Sequence, residues 1–264
     1  MLDLKNVSKT FNPGSPDAKR ALDGLSLHLD RGDFVTIVGS NGAGKSTLFN
    51  AIGGSFFVDT GSISLGGRDI TFMPEHNRSR VIGRLFQDPL RGTAPHMTIE
   101  ENLALAYLRS SHGNPFKRTS YKDRQYFRDQ LSQLGMGLEN RMRQPVGMLS
   151  GGQRQALTLL MATMVTPELL LLDEHTAALD PGTAEKVLEI TRRTVAEGNI
   201  TCLMITHNMH QALTLGNRTL MMANGRIVLD VSGSERAGMT VDDLIARFKA
   251  GSGEALDNDR ILLA

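Results

Sequence analysis

The 264-residue chain has no tryptophan and a single cysteine, Cys202. One thiol excludes a disulfide framework within the chain. Its place in the apolar run Ile200–Ile205 marks it as a small core residue suited to a reducing compartment. No apolar stretch approaches the ~20 residues that a membrane-spanning helix needs; the longest, such as Leu157–Val165, fall far short. The opening Met1-Leu2-Asp3-Leu4-Lys5-Asn6 lacks the basic and apolar segments of a signal peptide, so any action on a membrane is expected to pass through a partner. Charge of one sign is missing too: Lys+Arg number 29 and Asp+Glu 28, for a net charge of +1. That balance argues against a broad basic surface, and nucleic acid is not an expected partner. Neither an internal repeat nor sustained heptads occur. What is present is a 40% apolar composition, enough for a sizeable core, over a length that fits one α/β domain with a smaller subdomain attached. The 13 methionines read as core filler.

Periodicity sets the coarse order. Leu2–Val7 and Leu25–Leu29 alternate as half-buried strands, with Pro13, Gly14 and Pro16 marking a loop between them. Phe34–Val38 is a short apolar strand, and a helix runs from about Lys45 to the glycine stop Gly53-Gly54. Ser62–Leu65 and Arg80–Phe86 read as strands. Glu100–Arg109, Ser120–Leu134 and Gly151–Met164 have helical spacing, with a polar loop at Gly113–Ser120. The fold expected is therefore α/β, with a mostly helical subdomain inserted at about 88–162. Leu169–Asp173 and Ile200–Thr206 are buried strands separated by a helix over Thr183–Ala196. Asn224-Gly225 signals a two-residue hairpin between Leu220–Met222 and Ile227–Val231. Thr240–Ala250 is a terminal helix capped by Thr240 with Asp243, and the chain from Gly251 is weakly specified. Domain bounds follow: 1–231 for the main domain with its insertion, and 232–264 for a short C-terminal helix and tail. Alternating strands and helices imply a parallel sheet, whose ligands gather at the carboxyl ends of its strands.

Three motifs sit at such ends. Gly39-Ser40-Asn41-Gly42-Ala43-Gly44-Lys45-Ser46-Thr47 matches G-x-x-x-x-G-K-[ST] between a strand and a helix. Glycines let the backbone curl so that successive N–H groups point at phosphate oxygens, and the helix start adds partial positive charge. Lys45 supplies a full charge to the β- and γ-phosphates, and the Ser46 hydroxyl suits Mg²⁺. Asp173 and Glu174 emerge from the run Leu169–Leu172. Asp173 is placed to hold Mg²⁺ through water, and Glu174 to polarise an attacking water. Ser150 with Gln153 forms a capping box in Leu149-Ser150-Gly151-Gly152-Gln153 and opens the helix that follows. Gly151 and Gly152 leave that helix start bare, and an open helix start with a serine hydroxyl suits an anion.

With LSGGQ in place, the chain resembles the ATPase subunits of ABC transporters from Leu2 to about Val231. Other family landmarks follow in order. Gln87 lies after the strand Arg80–Phe86, Ala178-Leu179-Asp180 after Glu174, and His207 at the end of the strand Ile200–Thr206. Phe11 stands where the family has an aromatic that stacks on adenine, more often tyrosine. One departure is His175, where proline usually follows the glutamate. It is read as tolerated because Glu174 is retained.

The resemblance implies a P-loop NTPase fold: a RecA-like parallel sheet, an antiparallel β subdomain and the helical insertion. It implies ATP and Mg²⁺ as ligands, with Ser46, Gln87 and Asp173 toward the metal. It implies a head-to-tail dimer in which Ser150, Gly151, Gly152 and Gln153 of one copy meet the nucleotide held by the loop of the other. Asp180 would lie near the dimer centre, and His207 would contact the γ-phosphate. The partners implied are a second copy, integral membrane permease subunits and, indirectly, an extracytoplasmic solute-binding protein. The place implied is the cytoplasmic face of the membrane. The segment Arg91–Leu103 is similar to a branch paired with branched-chain amino acid and ribose-type permeases, so import of a small solute such as an amino acid is expected. The alternatives are an exporter subunit, an ABC ATPase acting on DNA or ribosomes, and a nucleotide sensor without turnover. The missing coiled coils, the single ATPase unit, the near-zero charge and the presence of Lys45, Glu174 and His207 stand against the last two.

Overall fold

A computed structural model describes residues 1–110 and 119–252. In chain order the elements are β1 (Leu2–Phe11), β2 (Lys19–Leu29), β3 (Phe34–Gly39), α1 (Lys45–Gly53), β4 (Thr60–Leu65), β5 (Arg68–Asp69), α2 (Glu75–Arg78), β6 (Ile82–Leu85), α3 (Ile99–Tyr107), α4 (Tyr121–Ser132), α5 (Gly151–Thr163), β7 (Leu169–Asp173), α6 (Pro181–Glu197), β8 (Thr201–Ile205), α7 (Met209–Thr214), β9 (Arg218–Ala223), β10 (Arg226–Ser232), α8 (Gly233–Ala237) and α9 (Val241–Ser252). Two compact units result: Met1–Arg78 with the chain from Asn199 onward, and Ser79–Gly198.

The first unit contains an antiparallel sheet, β2-β1-β4-β5, and a set of strands in which β3 pairs in parallel with both β8 and β9. Every residue of β3 and β8 is buried, the pattern of strands covered on both faces. Asn224 and Gly225 carry φ of 48° and 75° in the turn joining antiparallel β9 and β10, the conformation that makes Asn-Gly a hairpin signal. Val38, Met209, Ala212, Met221, Leu244 and Phe248 pack as one buried cluster, so α9 closes over α7 and the sheet. Thr240 and Asp243 form the expected capping box at the start of α9.

Arg78, 1% exposed, organises the far end of α1. Its guanidinium donates to the carbonyls of Ala51 (2.7 Å), Ile52 (2.8 Å), Thr71 (3.0 Å) and Met73 (2.7 Å). Two of these are orphan carbonyls in the last turn of α1, which a helix cannot satisfy itself. The positive φ of Gly54 and the closeness of the Arg78 side chain, 2.9 Å from where a Cβ would sit, make glycine necessary there.

In the second unit β6 and β7 pair in parallel, and α3, α4 and α5 pack together. Thr98 and Ser120 open α3 and α4 with capping boxes. Buried Asn102 binds the Ala94 N–H and O and the Thr98 carbonyl, tying the loop before α3 to that helix.

Most expected elements are present, but several differ in length. β1 and β2 extend well past Val7 and before Leu25, because cross-strand pairing continues through register shifts that blur the alternation. β6 is shorter than Arg80–Phe86, and α3 gives way to a 3-10 turn at Leu108. The short β5, α2, α7 and α8 carry too few residues for periodicity to signal them. Most of the loop expected at Gly113–Ser120 and most of the chain from Gly251 lie outside the described residues. Cys202 is fully buried, and burial raises its thiol pKa. Met204, Met209, Met221 and Met222 fill the core as expected, whereas Met148 is 71% exposed.

Candidate nucleotide site

The phosphate loop is shaped by contacts that leave no room for side chains. At Gly39, φ is 155° and a Cβ would stand 2.2 Å from the Met222 carbonyl oxygen; at Gly44, φ is 101° and it would stand 2.5 Å from that of Ala21. Only glycine fits either place. Gly44 ends the loop as the N-terminal cap residue of α1, with no side-chain cap, so the first N–H groups of the helix are left for a ligand. The β9–β10 turn braces the loop from behind: Gly225 N–H donates to Ala43 O at 3.0 Å, and Asp23 N–H donates to Gly225 O at 3.1 Å. Lys45 is 8% exposed. Its ammonium donates to the carbonyls of Gly39 (2.6 Å) and Ser40 (3.0 Å), which holds the cation over its own loop. Ser46 is exposed and Thr47 half-buried.

Two further groups lie in the same unit. β3 and β8 pair at Ile37↔Ile205, so His207 emerges at the same strand edge as the loop. Its flanks are fixed. Thr206 N–H donates to Ile37 O, the Asn208 N–H to the Thr206 hydroxyl, and the Asn208 side chain caps α7 by accepting from Gln211 N–H. Phe11, 37% exposed, ends β1 opposite Lys19 of β2. Its ring meets that of Phe56 edge-on at 5.3 Å. The Lys19 ammonium lies 3.2 Å from the point a Cβ would occupy on Gly42. The Phe11↔Lys19 register of β1 and β2 thus brings an ammonium beside the phosphate loop, a proximity that local sequence pattern does not signal.

In the second unit, β6 and β7 pair at Leu85↔Leu172. Gln87 and Glu174, each two residues further on, therefore leave the same strand edge. Gln87 is exposed and Asp173 half-buried. Glu174 sits at φ 44°, a left-handed conformation unusual for a side chain with a Cβ, and its carbonyl accepts from Ala177 N–H. His175 turns inward and is 2% exposed. Thr191 Oγ1 donates to Val187 O and so accepts from His175 Nε2 at 3.2 Å, which leaves a neutral ring whose buried Nδ1 has no hydrogen bond. Burial pushes the pKa of His175 down to about 4.

Ser150 and Gln153 form the expected capping box, with Gln153 N–H to Ser150 Oγ at 3.3 Å and the reciprocal bond from Ser150 N–H at 3.3 Å. Ser150 and Gly151 are exposed. The bareness of Gly152 has a reason within the unit: a Cβ there would stand 2.0 Å from Thr183 Cγ2 of α6. Gly151 faces Leu179, 3.2 Å from its would-be Cβ. The start of α5 thus lies against Thr183 of α6 and Leu179 of the turn before it. Asp180 caps α6 by accepting from Thr183 N–H at 3.0 Å, and that bonding holds its pKa below the usual carboxylate value.

The matching family model is ABC transporter, over residues 22–177. The chain belongs to the ABC transporter family. It is an ATP-binding, ATP-hydrolysing subunit of that family. It is 43% identical over 251 residues to the tyrosine transport ATP-binding protein of Clostridioides difficile strain R20291, covering 94% of this chain and 99% of that one. It is 31% identical to the xylose/arabinose import ATP-binding protein XylG of Sulfolobus acidocaldarius, over 95% and 96% of the two chains. Among solved structures, the dimeric post-hydrolysis state of the ATP-binding cassette MJ0796 bound to ADP and Pi matches with a TM-score of 0.76 and 27% identity, over 88% of this chain and 98% of that one. The ABC subunit shares with these cassettes the P-loop NTPase fold expected from its sequence. None of its described helices is long and apolar enough to cross a membrane.

Proposed function

We propose that the ABC subunit binds MgATP on Gly39–Thr47, pairs head to tail with a second copy, and powers a separate permease that imports an amino acid. The observation that carries this reading is the geometry of the phosphate loop. A bare helix start, two positions where only glycine fits and a buried lysine converge on one anion position. The uncapped N–H groups of α1 and the Lys45 ammonium stabilise phosphate charge. Phe11 stacks on adenine, and Lys19 adds a second cation beside the loop. Glu174 takes the proton of the attacking water as general base, and His207 contacts the γ-phosphate. Ser150, Gly151, Gly152 and Gln153 present an open helix start to the nucleotide held by the other copy, and Asp180 lies at the dimer centre. The dimeric MJ0796 cassette bound to ADP and Pi supports this pairing.

The donors offered to a cation, the Ser46 hydroxyl, the Gln87 amide oxygen and the Asp173 carboxylate, are all oxygens and suit the hard Mg²⁺ ion. Bound there with nucleotide, Mg²⁺ neutralises phosphate charge. The domain reading is likewise proposed: 1–231 as the ATPase domain with its helical part at about 88–162, and 232–264 as an appendix. A permease helix docks near Gln87 and Arg91–Asn102, which places the subunit on the cytoplasmic membrane face, with a solute-binding protein acting outside. The tyrosine transport relative supports an amino acid as solute. Purified Glu174→Gln protein tests the reading. It should lose ATP turnover by about a hundredfold or more while forming MgATP-dependent dimers. Retained turnover in that variant would overturn it.

A further inference from the structure

The Ser79–Gly198 unit contains a cavity of about 380 Å³ that the nucleotide chemistry does not use. Its charged lining is lopsided: Arg124, Arg128, Arg141 and Arg143 against Glu100 and Glu139. Arg124 and Arg128 stand one helical turn apart on α4, a spacing that puts both on one face. Arg141 and Arg143 flank the buried Met142 in a turn closed by Gln144 N–H to Arg141 O at 2.8 Å. That turn is pinned to the start of α3, where the N–H groups of Ile99 and Glu100 donate to the carbonyls of Gln144 (3.1 Å) and Met142 (3.0 Å). Two pieces of backbone therefore each bring two arginines to the lining of one space.

The acids neutralise them only in part. Glu100 is committed to Arg124, at 2.5 Å. One Glu139 oxygen accepts from Asn140 Nδ2 at 3.2 Å, and the other is buried without a hydrogen bond. Among the described residues Arg128, Arg141 and Arg143 form no ion pair. Three guanidinium forks without an ion pair among the described residues, lining one cavity, suit an anion with several acceptor oxygens. Four arginines against two glutamates leave two positive charges, which matches a phosphate group near neutral pH better than a single carboxylate.

We propose that this cavity is a phosphate-binding site distinct from the nucleotide loop, taking either a free phosphate or the phosphate of an anionic lipid headgroup. Calorimetric titration of inorganic phosphate into the full chain tests the first source, and co-sedimentation with phosphatidylglycerol against phosphatidylcholine vesicles tests the second. The comparison proteins are Arg141→Gln/Arg143→Gln and Lys45→Ala. Both substituted arginines are exposed, so the double variant should fold and keep its ATPase rate. The expected result is binding in at least one arm that weakens about tenfold or more in the double variant and persists in Lys45→Ala. Phosphate binding alone identifies a soluble ligand, and selective vesicle binding identifies a headgroup. Binding in neither arm, equal binding by the double variant, or binding lost only with Lys45→Ala would each overturn the proposal.

Discussion

The two units carry their functional groups in different ways. In the Met1–Arg78 unit with its C-terminal part, the phosphate loop is fixed by backbone against backbone. Gly39 closes on the Met222 carbonyl, Gly44 on that of Ala21, and Ala43 is tied to Gly225. In the Ser79–Gly198 unit, Ser150, Gln153 and Asp180 are fixed by side-chain caps, and Gly152 by one methyl group of Thr183. Backbone contacts cannot be relaxed by a rotamer change, whereas caps and methyl contacts can be edited singly. The first unit thus holds its glycine loop rigidly, and the second is a set of separable local devices.

Alanine at Gly39 and at Gly152 tests this contrast most sharply. Gly39→Ala forces a Cβ onto a carbonyl oxygen at a positive φ and should cost about 3 kcal/mol or more in a denaturant titration. No second side-chain change should restore it. Gly152→Ala meets only Thr183 Cγ2 and should cost about 1–3 kcal/mol, most of it recovered by Thr183→Ser, which removes that methyl. Rescue of the first, or failure to rescue the second, would break the comparison.

In the second unit a pH effect is expected at His175. The pKa of His175 is about 4 in the folded chain, below its ordinary value of 6.5. Between these pH values the unfolded chain binds the extra proton, so stability rises with pH across the window and is lost as pH falls through it. The loss attributable to His175 reaches at most about 3 kcal/mol. Thermal unfolding of wild type and His175→Gln at pH 7 and pH 4.5 should show a smaller acid loss for the variant; parallel losses would remove His175 from the account. The smallest effect is at the cap. Ser150→Ala should cost about 1 kcal/mol of stability, and a chemical melt that shows no change would mean that the capping box carries no weight.

What could be read from the sequence is what local geometry demands. Asn224-Gly225 announced a turn because both residues need positive φ, and Ser150-x-x-Gln153 and Thr240-x-x-Asp243 announced helix starts because each side chain finds its backbone partner three residues away. The phosphate loop was legible for the same reason. Long-range contacts were not. Lys19 reaches Gly42 only through the β1–β2 pairing, Gly225 supports Ala43 from far along the chain, and Arg78 gathers four carbonyls from two segments. Gly152 was read as leaving a helix start bare for close approach; the structure adds that α6 occupies the space its side chain would need. His175 looked like a tolerated replacement for proline, and its burial against Thr191 is visible only once α6 is packed.

The central claim is that each nucleotide is held by the loop of one copy and the Ser150–Gln153 segment of the other. Mixing two crippled chains tests it, with both carrying Glu174→Gln to prevent turnover, one carrying Lys45→Ala and the other Ser150→Arg. Alone, neither should form MgATP-dependent dimers. Mixed, they should yield heterodimers that retain one ATP per pair, because one loop and the facing segment are both intact. A mixture that traps no nucleotide and stays monomeric would contradict the account.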